Sequence, residues 1–163
     1  MSQDLLSSLI PFMGCLIERT PDGVKLTGAS QDHMMAVALT RETFRPPFTI
    51  KTVAQTDSTN LRLYWHIGEI IFNWECSVRR LKVHNPATGC WWDVEEQGFI
   101  EVNQWHGIIW EILPNSMRVL VDGKLRFERD GDWGSMEAPV AIGPCFGSTV
   151  TVRSFVVERG ERS

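Results

Sequence analysis

The sequence has no excess of basic residues and no long apolar run. Lys and Arg number 16 against 20 Asp and Glu, a formal net charge of −4, whereas proteins that bind the phosphate backbone usually have the opposite balance. No apolar run is long enough to span a bilayer, and the start, MSQDLLSSLIPFMG, lacks the charged leader of a secretory signal. We therefore expect no nucleic-acid partner, no membrane partner and a cytoplasmic location.

The residue types that commonly hold metal ions are scattered along the chain. The cysteines are Cys15, Cys76, Cys90 and Cys145, and the histidines are His33, His66, His84 and His106. They form no CxxC or HxxxH pair, the spacings typical of redox and zinc sites. Asp130 and Asp132 are spaced as in some calcium loops, but the later acidic ligand of an EF-hand is missing. The sequence predicts reduced, mostly buried thiols, no metal and no cofactor.

The chain also lacks the 3.6-residue apolar period of a long helix. Instead, short segments rich in Val, Ile, Thr and aromatic residues are bounded by Gly, Pro, Asn or Asp, which is typical of strands. The predicted strands are 24–27, 34–39, 48–56, 61–66, 70–75, 79–84, 99–102, 105–113, 116–121, 124–128, 138–142 and 149–158. They indicate an all-β sandwich or barrel. We expect one domain over 1–163, with a short arm or helix within 1–14 and a tail at 159–163.

The clearest local pattern is a hairpin around Asp122-Gly123. This dipeptide favours a two-residue type I′ turn, because both central positions of that turn need a positive φ. Alternation places Met117, Val119 and Val121 on one face of the first strand. It places Leu125 and Phe127 together on one face of the second.

This hairpin and the strand before it resemble a run found in the concanavalin A-like lectin/glucanase superfamily. In that run an aromatic-His pair opens a strand, a Pro-containing turn follows, and the next strand ends in Val-Asp-Gly. Here those features are Trp105-His106, Pro114 and the end of the segment WHGIIWEILPNSMRVLVDG. The segments 138–143 and 150–158 also resemble the end of such domains. The resemblance implies a jelly-roll sandwich of two antiparallel sheets whose concave face binds saccharide.

Some members of that superfamily cleave saccharides through a Glu-x-Asp-x-x-Glu strand motif. The segment 91–96 does not reproduce it, because Trp91 stands where the leading Glu would be and the second carboxylate has the wrong spacing. The absence of this motif favours a binding protein over an enzyme, and no catalytic residue is assigned.

Three consecutive predicted strands, 61–66, 70–75 and 79–84, alternate polar and apolar residues. If they form a meander, the polar residues share one surface. Galectins, in the same superfamily, similarly place His, Asn, Arg, Glu and Trp across neighbouring strands. Either an ordinary solvated face or a saccharide site fits this pattern. For the second case the candidate ligand-binding residues are Arg62, Tyr64, His66, Asn73, Glu75, Arg80 and His84, with Trp91 and Trp92 as stacking surface.

The tryptophans divide into two groups by their positions. Alternation places Trp65, Trp74 and Trp110 in the core. Trp91 and Trp92 are adjacent, and neighbouring side chains of a strand cannot both face inward, so at least one is a stacking platform or a dimer contact. Trp133 follows a Gly-containing loop and is predicted to be exposed.

Three functions remain open from the sequence. The first is a non-catalytic, lectin-like module that binds a saccharide or glycoconjugate on the concave sheet face. The second is a cytoplasmic glycoside-acting enzyme that would need paired carboxylates, such as Glu75 with Glu95 or Glu101. The third is a structural or interaction protein that forms a homodimer through an exposed Trp patch or an edge strand.

Overall fold

Fifteen strands and one 3-10 turn make up the regular structure of the described residues. The computed structural model describes residues 2–29 and 35–161; His33, the first residue of the predicted strand 34–39 and the last two residues of the predicted tail lie outside these ranges. Within them, no helix is long and apolar enough to cross a membrane. The 3-10 turn is Leu6–Ser8. The strands are β1 Ser2–Asp4, β2 Ile10–Phe12, β3 Cys15–Thr20, β4 Gly23–Gly28, β5 Val37–Leu39, β6 Phe48–Thr56, β7 Leu61–Trp65, β8 Gly68–Phe72, β9 Leu81–His84, β10 Trp91–Val94, β11 His106–Ile112, β12 Ser116–Val121, β13 Lys124–Asp130, β14 Val140–Gly143 and β15 Val150–Arg159.

The strands form two antiparallel sheets around a shared core. The eight-stranded sheet has the order β13-β12-β11-β6-β15-β4-β3, and β1 pairs with the C-terminal half of β15. The seven-stranded sheet has the order β10-β9-β8-β7-β14-β5-β2. Apolar residues from both sheets belong to one buried cluster. The all-β sandwich of two antiparallel sheets predicted from the sequence is confirmed.

The two sheets differ in how deeply the residues on their outer surfaces are buried. In β11 of the eight-stranded sheet, buried and half-buried residues alternate along the whole strand. In β7 and β8 of the seven-stranded sheet, every residue is buried. Leu61, Leu63 and Trp65 point into the core cluster, so Arg62 and Tyr64 point the other way. We call this opposite side of the seven-stranded sheet the outer face.

The N-terminal segment joins both sheets. β1 pairs with β15 of the eight-stranded sheet, and β2 pairs with β5 of the seven-stranded sheet. From residue 2 onward, the short arm or helix expected within 1–14 therefore consists of two short strands around the 3-10 turn.

The hairpin at Asp122-Gly123 has the predicted turn, with φ values of 51° and 81°. Its second strand differs from simple alternation. The register shifts where Leu120 pairs with Leu125 although Val119 pairs with Phe127. This bulge reverses the side-chain alternation, so Phe127 is buried and Leu125 is 54% exposed. The prediction that these two residues share one face is wrong for that reason.

Two predictions about tryptophan are also corrected. Trp133 is fully buried, and its indole N–H donates to the carbonyl of Ser116 at 3.3 Å. Trp65 and Trp110 lie in the core as predicted, but Trp74 is half-buried outside it. Asn73 has a positive φ of 51°, which ends β8 and breaks the alternation that would have turned Trp74 inward.

Candidate functional site

Two rows of side chains cross the outer face, each with one residue from β7, β8, β9 and β10. Residues directly opposite each other on paired strands have side chains on the same face of the sheet. In the first row Tyr64 pairs with Glu69, Glu69 with His84, and His84 with Trp91. The second row consists of Arg62, Ile71, Lys82 and Asp93. Strand pairing alone therefore brings polar groups from four strands together.

Arg62 is the hub of a buried network of hydrogen bonds. Its Nη1 donates to Glu69 Oε1 at 2.9 Å, and its Nη2 lies 3.4 Å from Glu75 Oε2. Nε and Nη2 both donate to Asn60 Oδ1, at 3.0 and 2.7 Å. Burial alone would lower the pKa of Arg62, but Tyr64, which is ionised only at the high pH where arginine titrates, and the Glu69 carboxylate raise it above its ordinary value. The guanidinium therefore stays charged and fixes both carboxylates in place.

Lys82 is held between a carboxylate and two indole rings. Its Nζ lies 2.7 Å from Asp93 Oδ1, 3.8 Å from the ring centre of Trp91 and 4.5 Å from that of Trp74. The residue is only 5% exposed. The ion pair and the two cation–π contacts together replace the water lost by this ammonium group.

His84 and Tyr64 each have a polar atom that the described part of the chain leaves unpaired. His84 Nδ1 lies 3.4 Å from Glu69 Oε2, while its Nε2 is buried without a hydrogen-bond partner among the described residues. The hydroxyl of Tyr64, a residue only 9% exposed, likewise has no partner at hydrogen-bond geometry, although the Glu69 carboxylate is close enough to contribute to its raised pKa. Burial is the main cause of both pKa shifts: it lowers the pKa of His84 and raises that of Tyr64 well above its usual value. Both side chains are therefore neutral at pH 7.

Trp91 covers these side chains from the sheet edge. Together they form one cluster on the outer face, whose members are Arg62, Tyr64, Glu69, Trp74, Glu75, Lys82, His84, Trp91 and Asp93. The ring of Trp91 stacks on His84 with centres 4.2 Å apart, and Lys82 lies under the same indole. Because both contacts come from β9, the ring lies over that strand. The residue is nevertheless 53% exposed, so an aromatic surface remains open to solvent over His84, and Tyr64 lies two strands further along the same row.

Comparison with known proteins defines the fold. No family model and no curated protein match the chain. Among solved structures, a Bacillus subtilis protein of unknown function with a galectin-like fold is 10% identical, covers 97% of this chain and 92% of its own, and has a TM-score of 0.76. The carbohydrate-binding module CBM66 from Bacillus subtilis is 12% identical over 91% and 94% of the two chains, with a TM-score of 0.69. A Bacillus licheniformis β-glucanase is 13% identical over 91% and 86%, with a TM-score of 0.64. The protein has the concanavalin A-like jelly-roll fold.

Within this jelly roll, five of the nine predicted ligand-binding residues lie together. Arg62, Tyr64, His84 and Trp91 lie on the outer face, and Glu75 reaches the same cluster through Arg62. Whether they bind a ligand stays a prediction, but the structure brings them within one connected set of contacts.

The other four predicted residues lie elsewhere in the jelly roll. His66 is exposed in the turn after β7. Asn73 is buried and bonds only to the backbone. Arg80 precedes β9 and pairs with Glu95, which is outside the cluster. Trp92 points to the core side, where its ring lies 5.6 Å from that of Phe127.

Four residues of the cluster were not among the predicted site residues: Glu69, Trp74, Lys82 and Asp93. Glu69 was missed because the predicted strand began at residue 70, whereas β8 begins at Gly68. A tight turn at 66–67 would have placed Glu69 opposite Tyr64. Asp93 was missed because the segment 91–94 is not among the predicted strands, although it forms β10 and pairs with β9.

The carboxylates considered for hydrolysis do not form a common pair. Glu75 lies against Arg62, whereas Glu95 accepts a hydrogen bond from Arg80 at 2.7 Å. Glu101 is exposed, and its backbone carbonyl contacts His106. The part of the chain that the structure describes also contains no group of three His, Cys, Asp or Glu side chains arranged to hold a metal ion. All four cysteines are free, and two of them, Cys76 and Cys90, are exposed.

Proposed function

We propose that the protein is a non-catalytic, lectin-like module that binds a saccharide on the outer face of the seven-stranded sheet. The observation that carries this proposal is the exposed indole of Trp91 on a surface where Tyr64 and His84 each bury a polar atom that has no partner among the described residues. A pyranose has an apolar face bordered by hydroxyl groups. An aromatic ring can stack on the first, while Tyr64 and His84 can exchange hydrogen bonds with the second.

The surrounding network supports the same function by holding these groups still. Tyr64 and His84 both neighbour Glu69, which is fixed by Arg62. A preformed site loses little conformational freedom when the ligand binds, so more of the interaction energy appears as affinity.

The likeness to solved structures supports the proposal independently of the geometry. One similar chain is a carbohydrate-binding module and another is a β-glucanase, so this jelly roll occurs in proteins named for carbohydrates. Cytoplasmic location and homodimer formation stay predictions from the sequence.

Two adjacent tryptophans provide a matched experiment. The change Trp91→Ala removes the exposed ring, and we expect it to weaken saccharide binding about tenfold, which corresponds to about 1.4 kcal/mol. Its effect on stability should be small, because half of the side chain is already in water. The change Trp92→Ala removes a ring that packs against the core cluster, so it should lower stability and leave affinity unchanged.

The measurement is a glycan-array screen of the unaltered protein, followed by calorimetric titration of both variants with the best binder. Thermal unfolding of each variant gives the stability comparison. Absence of any bound glycan in the first screen overturns the proposal. Equal loss of affinity in the two variants would mean that the outer face is not the binding surface.

A further inference from the structure

We infer that the outer face selects uncharged saccharides over acidic ones, because the cations described on it are already paired with carboxylates of the protein. This inference rests on the proposed function and specifies its ligand class. Arg and Lys are the side chains that usually recognise carboxylate or sulfate groups. On this surface they are directed at internal partners instead.

The charge balance of the described residues in the cluster disfavours an incoming anion. Arg62 faces Glu69 and Glu75, and Lys82 faces Asp93. Two cations thus meet three carboxylates, while His84 is neutral. The cluster carries net negative charge, which repels a sugar carboxylate or sulfate at short range.

Lys82 is closed to a new anionic partner by its packing. It is almost fully buried under Trp91 and Trp74, and it already contacts Asp93 at 2.7 Å. An acidic sugar would have to displace a carboxylate that belongs to the protein. The exchange would gain no net ion pair and would leave Asp93 unpaired.

The unpaired atoms of the cluster suit hydroxyl groups. In neutral His84 the Nδ1 proton faces Glu69 Oε2, which leaves Nε2 as a hydrogen-bond acceptor. A sugar hydroxyl can donate to this nitrogen, whereas an ionised carboxylate or sulfate only accepts hydrogen bonds. The hydroxyl of Tyr64 lies on the same row and can donate to or accept from a second hydroxyl. His84 Nε2 therefore suits a hydroxyl donor and cannot pair with an anionic acceptor.

The direct test compares matched neutral and acidic ligands. The protein is titrated with oligosaccharides based on glucose, galactose, mannose and fructose, and with their uronate and 6-sulfate counterparts, at about 50 mM salt where charge effects are weakly screened. We expect the best neutral ligand to bind at least tenfold more tightly than its acidic counterpart.

A gain-of-function variant tests the cause. Asp93→Asn removes one negative charge and frees Lys82, so it should reduce the neutral-to-acidic affinity ratio at least threefold. Glu96→Gln is the matched control: it removes the same charge from an exposed side chain that pairs with Arg79 outside the cluster. It should leave the ratio unchanged.

The outcomes separate the two proposals. If acidic ligands bind as tightly as neutral ones or more tightly, the charge inference is overturned and the saccharide function stands. If neither class binds, the proposed function itself fails and the inference with it. The comparison on the unaltered protein decides between these results even if Asp93→Asn does not fold.

Discussion

Asn73 allows a sharp test of whether a residue predicted from sequence to bind ligand serves the fold instead. Its side-chain Nδ2 donates to the carbonyls of Ser58 at 3.1 Å and Ile100 at 2.9 Å, and its Oδ1 accepts from the N–H of Ile100 at 2.8 Å. The residue is 1% exposed. Asn73 thereby ties the end of β8 to two loops, and it cannot contact a ligand without breaking these bonds.

The expected cost of Asn73→Ala follows from these three bonds. Each of the three broken bonds leaves a backbone group without a partner, at about 1–1.5 kcal/mol, so the side-chain contribution is about 3–4.5 kcal/mol. For a chain of this length that corresponds to a fall in Tm of about 10 °C. Asn103→Ala is the matched control, because Asn103 also has a positive φ, of 58°, but is exposed and makes no side-chain hydrogen bond with the described residues. It measures the cost of placing Ala in the left-handed region, about 1 kcal/mol.

Urea unfolding followed by tryptophan fluorescence measures both variants. We expect the midpoint for Asn73→Ala to fall well below that of Asn103→Ala with an unchanged m-value. The folded Asn73→Ala protein should retain the saccharide affinity of the parent. A variant that is as stable as the control but has lost binding would refute the structural role and return Asn73 to the binding site.

Two further predictions concern stability. Burial tends to raise the pKa of Asp122, but hydrogen bonds from His106 and the Gly107 N–H outweigh it and lower that pKa below its ordinary value of 3.8. The resulting stability is present above the pKa of the unfolded state and is lost as the pH falls through the pKa of the folded state. Asp122→Asn should therefore lose less stability than the parent between pH 4 and 2 in urea titrations, and equal slopes would contradict this. Gly98→Ala would place Cβ 2.3 Å from the backbone of Arg80 and should lower the free energy of unfolding by about 1–3 kcal/mol or more. The control is Gly107→Ala, whose Cβ meets nothing closer than 3.9 Å; its free energy of unfolding should stay close to that of the parent in the same assay.

The fold was predictable because its signals are local. The period-2 pattern gives β6 at 48–56 and β12 at 116–121 with the bounds that the structure has, and Asp122-Gly123 fixes the turn after β12. Edge strands were harder. β3 and β10 present much of their length to solvent, so they carry polar residues and lack the clear alternation of central strands.

The candidate site was only partly predictable because it depends on register. Arg62, Tyr64 and His84 were found from alternation within single strands. Glu69 and Asp93 could be placed only once β8 and β10 were paired with β9 at a defined offset, and a one-residue error moves a side chain to the other face. Asn73 shows the opposite error, a residue that was predicted on this face but does not lie on it. Its positive φ interrupts the alternation of side chains, and a pattern of apolar residues cannot predict a backbone dihedral angle.

The buried ions of the outer face are better explained by positioning than by stability. Removing Arg62, Glu69 and Lys82 from water costs free energy that their ion pairs only partly recover, and apolar residues of similar size would often stabilise a sheet equally well. The core side of β7 and β8 is filled in that way, with Leu, Ile and aromatic side chains. Where the same strands face outward they carry a connected chain from Arg62 to Glu69 to His84 instead. Each residue of this chain fixes the orientation of the next, and the chain ends at Nε2 of His84, which has no partner among the described residues. We therefore interpret the ion pairs as contacts that hold the unpaired hydrogen-bonding groups in position for a ligand.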